Sequence, residues 1–139
     1  MQVIRRNRPY NAEADLRQST QREAQARQRE QDLKLKRAYG NVTIATEKQN
    51  QALSGIKKQI KSQQDQLRQL QSDRILFKRQ EMEYLRKGES SIPQRLKDQL
   101  NQNDQNMTSL KKNISSLQNN YRTTQEHYSN IIERLKTLE

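Results

Sequence analysis

The stretch YLRKGESSIPQRL, residues 84–96, brings a glycine and a proline within six positions of each other, in a chain with only three glycines and two prolines. Gly88 can adopt the left-handed conformation that closes the C-terminus of a helix. Pro93 suits the first turn of a helix, where its missing N–H costs nothing. The stretch therefore predicts a reversal of the chain at residues 88–92 between two helices, with three turn residues: Gly88, Ile92 and Pro93.

Apolar residues recur in alternating steps of four and three on both sides of this stretch. Upstream, from Val42 to Tyr84, eight of the thirteen positions on this progression are apolar. Downstream, from Leu96 to Leu138, eleven of thirteen are apolar. A repeat averaging 3.5 residues is the pattern of a coiled-coil seam. The main predicted seam residues are Leu53, Ile60, Leu67, Leu70, Phe77, Tyr84, Leu96, Leu110, Ile114, Leu117, Tyr121, Tyr128 and Leu135.

A reversal at residues 88–92 pairs residues whose numbers sum to about 180, so that Tyr84 faces Leu96 and Val42 faces Leu138. Each arm then contains about 46 residues, or roughly 70 Å of helix. The equal arms favour a hairpin folded within one chain. The predicted fold is all-α: a long antiparallel coiled-coil helical hairpin with an N-terminal helical extension.

Besides Thr46 and Gln49 near the open end, five seam positions carry polar side chains, and in this register each faces an apolar residue. We expect these side chains to lean out of a shallow two-helix seam, the arginine by snorkelling. The alternative is that they await a third helix from a partner. The five residues are Gln63, Arg74, Glu81, Asn103 and Thr124.

The composition allows disorder as the rival interpretation. Only 29% of the residues are hydrophobic, 31% are charged and the net charge is +11, a combination typical of disordered chains. The concentration of the few apolar residues on two stripes favours helices instead. The chain contains no cysteine, which excludes disulfides and zinc–thiolate sites.

The first 41 residues show no such seam, and we divide the chain into three parts. Residues 1–10 are expected to be a basic, flexible N-terminus. Residues 11–41 are expected to form a solvated helix rich in charge and glutamine, capped by Asn11 and broken at Gly40. Residues 42–139 form the hairpin. The start MQVIRRNRPY lacks the apolar segment of an export signal, so we expect a soluble chain without one.

The lead-in REAQARQREQDLKLKRAYGNVTIATEKQNQAL, the break RKGESSIPQRLKDQL and the ending YSNIIERLKTLE resemble the helical C-terminal region of a group of gammaproteobacterial cell-envelope proteins. Those proteins carry a small N-terminal domain of unknown function, which this chain lacks. The resemblance extends over about residues 20–139, and its specific features are the two breaks and their separation. It implies an exported protein that faces the periplasm and has no known enzymatic activity. Without this resemblance, the chain would be placed in the cytoplasm.

The sequence offers little for catalysis. His127 is the only histidine, and a single imidazole lacks the converging ligands that a zinc site needs. The phosphate-binding glycine-rich loop and the nucleophile elbow are also missing from the sequence. We therefore expect no enzyme activity, no catalytic residue, no metal and no cofactor.

Binding of an anion is the main alternative. Residues 1–38 contain ten Lys or Arg and five acidic residues, while residues 39–139 contain seventeen and eleven. The denser basic excess could neutralise phosphates of a nucleic acid or lie on anionic lipid headgroups, without reading a sequence. The candidate anion-contacting residues are Arg5, Arg6, Arg8, Arg22, Arg27, Arg29, Lys34, Lys36 and Arg37.

Together these patterns predict a non-enzymatic, elongated coiled-coil scaffold or spacer that acts through protein–protein contacts, in the bacterial cell envelope if the resemblance holds. The partner is expected to be a protein, and a homo-oligomer is left open. Two alternatives remain: the basic anion-binding protein, and a cytoplasmic hairpin similar to the stalk proteins of secretion machines. The second is an analogy of architecture alone.

Overall fold

The computed structural model describes residues 11–88 and 92–139, which form three helices. Helix α1 spans Ala12–Tyr39, α2 spans Val42–Arg86 and α3 spans Gln94–Leu138. Most contacts between elements join α2 to α3. The predicted all-α helical hairpin with an N-terminal helical extension is confirmed. The proposed basic N-terminus, residues 1–10, lies outside the described residues.

Contacts between α2 and α3 show the antiparallel register. At the open end, the backbone N–H of Val42 donates to Oε1 of Glu139 over 3.0 Å. Further along, Arg74 forms an ion pair with Asp104. In both pairs the residue numbers sum to about 180, so the two 45-residue helices lie side by side over their whole length of about 68 Å.

The interface between the two helices follows the heptad positions. All thirteen predicted positions on α2 and all thirteen on α3 are buried or half-buried, including the thirteen seam residues singled out from the sequence. Burial is deepest on α3, where Leu96, Ile114 and Leu135 are 4%, 8% and 1% exposed. On α2 the seam residues are half-buried.

Asn103 departs from the expectation that polar seam residues lean outward. Its side chain is buried, at 3% exposure, and its Nδ2 donates to the carbonyl of Leu70 over 2.8 Å. The short amide stem cannot carry the polar group past α2 to water, whereas a backbone carbonyl has a second lone pair to offer. The prediction for Asn103 is therefore wrong: the side chain turns inward and bonds across the seam.

Two other polar seam residues, Arg74 and Glu81, reach partners at the edge of the interface. Arg74 is 33% exposed at its side chain and pairs with Asp104, in agreement with a snorkelling arginine. Glu81 accepts from Lys78, with its Oε1 3.5 Å from the lysine Nζ. Gln63 is half-buried with its Oε1 shielded from solvent, so this side chain does not lean fully outward either.

The turn between α2 and α3 begins at Gly88, which has a φ of 74°, as expected for a left-handed residue that ends a helix. Its N–H donates to the carbonyl of Leu85 over 3.1 Å. Pro93 stands one residue before α3, with φ −52° and ψ 138°, and its carbonyl accepts from the N–H of Leu96. It was predicted inside the first turn; its extended ψ makes it the residue that precedes the helix. Ile92 is half-buried.

The N-terminal helix begins and ends at the residues that its caps predict. Oδ1 of Asn11 accepts from the N–H groups of Glu13 and Ala14. Gly40 then breaks the chain with a φ of 73°, and Asn41 caps α2 by accepting from the N–H of Ile44 over 2.9 Å. These caps fix where α1 stops and α2 starts.

Only the last three turns of α1 pack on the hairpin. Residues 15–31 of α1 are all exposed, whereas Leu35 and Tyr39 contact a small core at the open end of the hairpin. This core is formed by Ala45, Ile131 and Leu135. The solvated helix expected from the sequence is thus anchored at one end, which the sequence analysis did not anticipate.

Candidate functional site

The residues of α1, α2 and α3 that meet at the open end form the most completely buried part of the described chain, which we call the joint. Ala45 is 0% exposed and Leu135 is 1% exposed. Leu35, Tyr39 and Ile132 cover them as half-buried neighbours. The hairpin alone has only a two-sided seam, so α1 supplies the third side that closes a core here.

A two-pronged ion pair anchors α1 at the joint. Nε and Nη2 of Arg134 donate to Oδ1 and Oδ2 of Asp32 over 2.9 and 2.8 Å. The hydrogen bond from Arg134 holds the pKa of the Asp32 carboxyl below its ordinary value, and a second bond from Gln28 acts in the same direction. The same pairing raises the pKa of Arg134. The planar fork of arginine matches a carboxylate in this way and adds orientation as well as attraction.

Aromatic contacts form the other side of the joint. The rings of Tyr39 and Tyr128 meet edge to face with their centroids 6.0 Å apart. Nζ of Lys48 lies 5.4 Å from the centroid of the Tyr39 ring and donates to the carbonyl of Ala38 over 2.7 Å. Lys48 therefore closes the C-terminus of α1 and holds it against α2, a combination of a capping bond and a cation–π contact.

His127 lies at the edge of the joint. Its Nε2 is 3.5 Å from the hydroxyl of Tyr39, and its ring packs edge to face on Tyr128. Within the described part of the chain, His, Asp and Glu do not gather into any group of three that could hold a metal ion. The histidine contributes to packing at this position.

The predicted anion-contacting residues on α1 are exposed and point in several directions. Arg22, Arg29 and Lys36 recur every seven residues along one line of the helix, while Arg27 and Lys34 follow a second line. Arg37 is also exposed. Arg27 pairs with Glu23 over 3.6 Å, and Arg29 and Lys36 lie beside Leu138 near the joint. The six side chains do not form one surface. The remaining candidates, Arg5, Arg6 and Arg8, lie outside the described residues.

Sequence reasoning missed the residues of the joint. Asp32 and Arg134 are 102 positions apart, and no local pattern connects them. The spacing of Leu35 and Tyr39, one helical turn apart, was the available signal. It is weak because the rest of α1 has no apolar stripe to extend it.

No described helix is both long enough and apolar enough to cross a membrane. Comparison with protein-family models, curated proteins and solved structures finds no match for the chain.

Proposed function

We propose that the protein is a non-enzymatic scaffold or spacer, a rod that holds contacts at its two ends a fixed distance apart. One observation carries the proposal: α2 and α3, each of 45 residues, pack against each other over about 68 Å. A globular domain of this size would fold its helices into a shorter bundle. Here the sequence instead maintains a seam from one end to the other.

The two ends of the rod differ, which suits a spacer with two different contacts. The joint end carries α1, whose residues 15–31 are exposed and extend the hairpin with helix. The turn end carries the exposed apolar side chains of Met82 and Leu85, both 58% exposed. Clustered apolar side chains on a surface are a common feature of interaction sites.

The location that we propose is the bacterial cell envelope. Support comes from the resemblance in the two breaks, one at Gly40 and one from Gly88 to Pro93, and in the basic, glutamine-rich segment before the first break. Detection of the native protein in the periplasmic fraction would support this location, and its detection in the cytoplasmic fraction would refute it.

The spacer proposal is tested by shortening the rod without changing its register. Deleting residues 70–76 together with residues 104–110 removes one heptad from each arm and about 10 Å of length, and it leaves the register of the remaining seam unchanged. We expect the helix content and the monomer to be preserved, while photo-crosslinks placed at the turn end and at α1 no longer reach their partners in the same cell.

Deletion of residues 70–76 alone is the matched control. It shifts one arm against the other, so we expect lower stability in addition to lost crosslinks. If crosslinks at both ends are undiminished when the paired deletion shortens the rod, or if neither end crosslinks to any protein in wild-type cells, length has no role and the spacer proposal is wrong.

Anion binding by α1 is the second candidate function. The observation in its favour is that Arg22, Lys34 and Arg37 are exposed and take no part in the ion pairs of the described residues. Replacing these three residues by Gln should weaken binding to phosphate polyanions if α1 carries this function. An unchanged affinity would reject it.

A further inference from the structure

The hairpin has two broad faces that differ in charge. On each helix, the residue just before a seam position lies on one flank and the residue just after it lies on the other. In an antiparallel pair, flanks of the same kind share a face. Gln66 and Gln69 of α2 line one groove with Asn106 and Ser109 of α3, and all four precede seam positions. We call this the grooved face.

The opposite face, formed by residues that follow seam positions, carries a cluster of cations in the middle of the rod. Between residues 50–71 of α2 and 108–129 of α3, this face contains five exposed Lys or Arg and no acidic residue. We call it the basic face, defined by Lys57, Lys61, Arg68, Lys111 and Arg122. Over the same length the grooved face contains only Ala, Gly, Gln, Ser, Asn, Thr and one His.

Cations of the basic face lie at the same level of the two helices in pairs of like charge. In the register of the hairpin, Lys57 lies opposite Arg122 and Arg68 lies opposite Lys111. Coiled coils commonly place opposite charges at such flanking positions, where they form interhelical salt bridges. Like charges there destabilise the pair by mutual repulsion. These cations therefore form no salt bridge with one another across the hairpin, and the face keeps its positive charge.

Few neighbouring groups neutralise this charge. Nη1 of Arg68 lies 3.6 Å from Oδ1 of Asp65, but both side chains are more than half exposed. Nζ of Lys57 lies 5.8 Å from the centroid of the Tyr121 ring, and Nη2 of Arg122 donates to Asn119. Lys57, Lys61, Lys111 and Arg122 take no part in the ion pairs found among the described residues. The positive field thus points outward from one side of the rod.

Exposed apolar side chains continue the same face towards the turn. Ile75, Met82 and Leu85 are 55%, 58% and 58% exposed, and each directly follows a seam residue. An anionic membrane surface can accept both kinds of group, because its headgroups attract the cations and its headgroup–acyl boundary takes up apolar side chains. A nucleic-acid backbone offers no apolar surface that these side chains could contact.

We propose that the hairpin lies flat, by its basic face, on an anionic phospholipid bilayer surface. A straight rod presents all five cations and the three apolar side chains to a plane at once, and each cation near such a surface strengthens the binding. The inference deepens the proposed scaffold function, on which it rests, because it names the surface that holds the rod.

The experiment measures binding of the full chain to phosphatidylcholine vesicles with and without phosphatidylglycerol, at increasing salt. We expect binding only to the anionic vesicles, with affinity falling steeply as salt screens the charges. The face variant Lys57→Gln, Lys61→Gln, Arg68→Gln, Lys111→Gln and Arg122→Gln should bind more than about a hundredfold more weakly. Its melting temperature should be unchanged or higher, since like charges are removed.

A charge-matched control replaces by Gln five exposed cations of α2 and α3 that do not directly follow a seam residue: Lys58, Arg79, Arg86, Arg95 and Lys112. It has the same net charge as the face variant, so a general effect of charge would weaken both equally. We expect the control to retain vesicle binding within about threefold. Equal losses in the two variants, or a larger loss in the control, would overturn the assignment to the basic face.

A second variant tests the apolar part of the face. Ile75→Ser, Met82→Ser and Leu85→Ser alter exposed side chains, so the hairpin should stay folded. We expect this variant to bind vesicles more weakly than the wild-type chain, by the same factor at every salt concentration. An affinity equal to that of the wild-type chain would overturn the role of these side chains.

Binding to a short DNA duplex under the same conditions provides the last comparison. If the duplex binds more tightly than anionic vesicles and the face variant abolishes that binding, the ligand is a nucleic acid and the membrane proposal is wrong. Lack of vesicle binding by the wild-type chain also refutes it. The spacer proposal would still stand in that case, because the paired heptad deletion tests it separately.

Discussion

At the scale of single residues, two polar contacts set positions along the rod. Nδ2 of Asn103 donates to the carbonyl of Leu70 across the seam, which is possible only when the helices stand in one register. Arg134 of α3 donates two hydrogen bonds to the carboxylate of Asp32 on α1. This ion pair sets where α1 lies on the hairpin. Neither contact could be predicted, because heptad patterns describe which side chains face the seam and give no account of which polar groups find a partner there.

Replacement of Asn103 by Leu should separate stability from register. The variant fills the seam with apolar volume and removes a buried amide, so we expect the free energy of unfolding to rise by about 1 kcal/mol. Loss of the cross-seam bond should at the same time broaden the distances between spin labels on α2 and α3, since a buried polar residue specifies register in coiled coils. Urea unfolding and pulsed electron resonance measure the two effects.

Asn101→Leu, at an exposed position of the same helix, is the control for this change. It should alter neither the stability nor the distances. If Asn103→Leu lowers stability while the distances stay narrow, the amide acts as ordinary packing and does not specify the register.

The ion pair at the joint predicts a dependence on pH. The pKa of Asp32 is lowered in the folded chain, so its stabilising contribution is complete above the unfolded value of about 3.9 and is lost as the pH falls through the lowered folded pKa. We expect the joint to open below about pH 4 while α2 and α3 stay paired. Near-ultraviolet dichroism of Tyr39 and Tyr128 reports the joint, and far-ultraviolet dichroism reports the helices.

Asp32→Asn removes the charge at every pH. We expect this variant to show the acid form of the tyrosine signal at neutral pH and to lose the transition. A wild-type signal that stays constant down to the lowest pH at which α2 and α3 remain paired, or a transition that persists in the variant, would mean that the ion pair does not hold the joint.

At the scale of the helices, the residues at which each helix begins and ends could be predicted better than the contacts of α1 with the hairpin. Asn11 caps α1, Gly40 breaks the chain after it and Gly88 takes a positive φ after α2, as the sequence predicted. The sequence left Asn41 and Thr43 as the two residues that could restart the helix, and Asn41 is the cap. Capping is local chemistry, so the sequence contains the whole of it. The docking of α1 depends on groups about a hundred residues apart, and a helix that is exposed over residues 15–31 gives little periodic signal of it.

Two of the three glycines offer a test of this local account. Gly55 lies inside α2, and apart from its chain neighbours and the nearby backbone of its own helix nothing lies within 4 Å of the place that a Cβ would occupy, so Gly55→Ala should raise the free energy of unfolding by about 1 kcal/mol. At Gly40, with φ 73°, the Cβ would stand 2.9 Å from Cδ1 of Ile44. Gly40→Ala should therefore destabilise the junction of α1 and α2.

Thermal unfolding of Gly55→Ala and Gly40→Ala measures the melting temperature of each variant against that of the wild-type chain. Opposite shifts of the melting temperature are expected from the same chemical change. Shifts of the same sign would show that the break at Gly40 is not a strained position that requires glycine.

At the scale of the whole molecule, the shape follows from two seams and one turn. The near-equal lengths of the arms around residues 88–92 predicted the hairpin. The single apolar stripe on each arm, within the range from Val42 to Leu138, predicted that the hairpin is two helices wide. The charge asymmetry between the two faces emerged only once the register was known, because flanking residues of α2 and α3 meet across the seam and not along the chain. The basic face is thus a property of the folded rod.

The central claim is that the arms of one chain pair with each other, and a cysteine pair tests it most directly. Leu53 and Tyr128 are far apart in sequence but lie at the same level of the hairpin, so the double variant Leu53→Cys, Tyr128→Cys should form a disulfide, which requires Cα atoms within about 7 Å. We predict an intramolecular crosslink whose yield does not change on dilution. Crosslinks that appear only between chains and fade on dilution would contradict the account, since the arms would then pair with a neighbour and the turn would be a hinge in a swapped dimer.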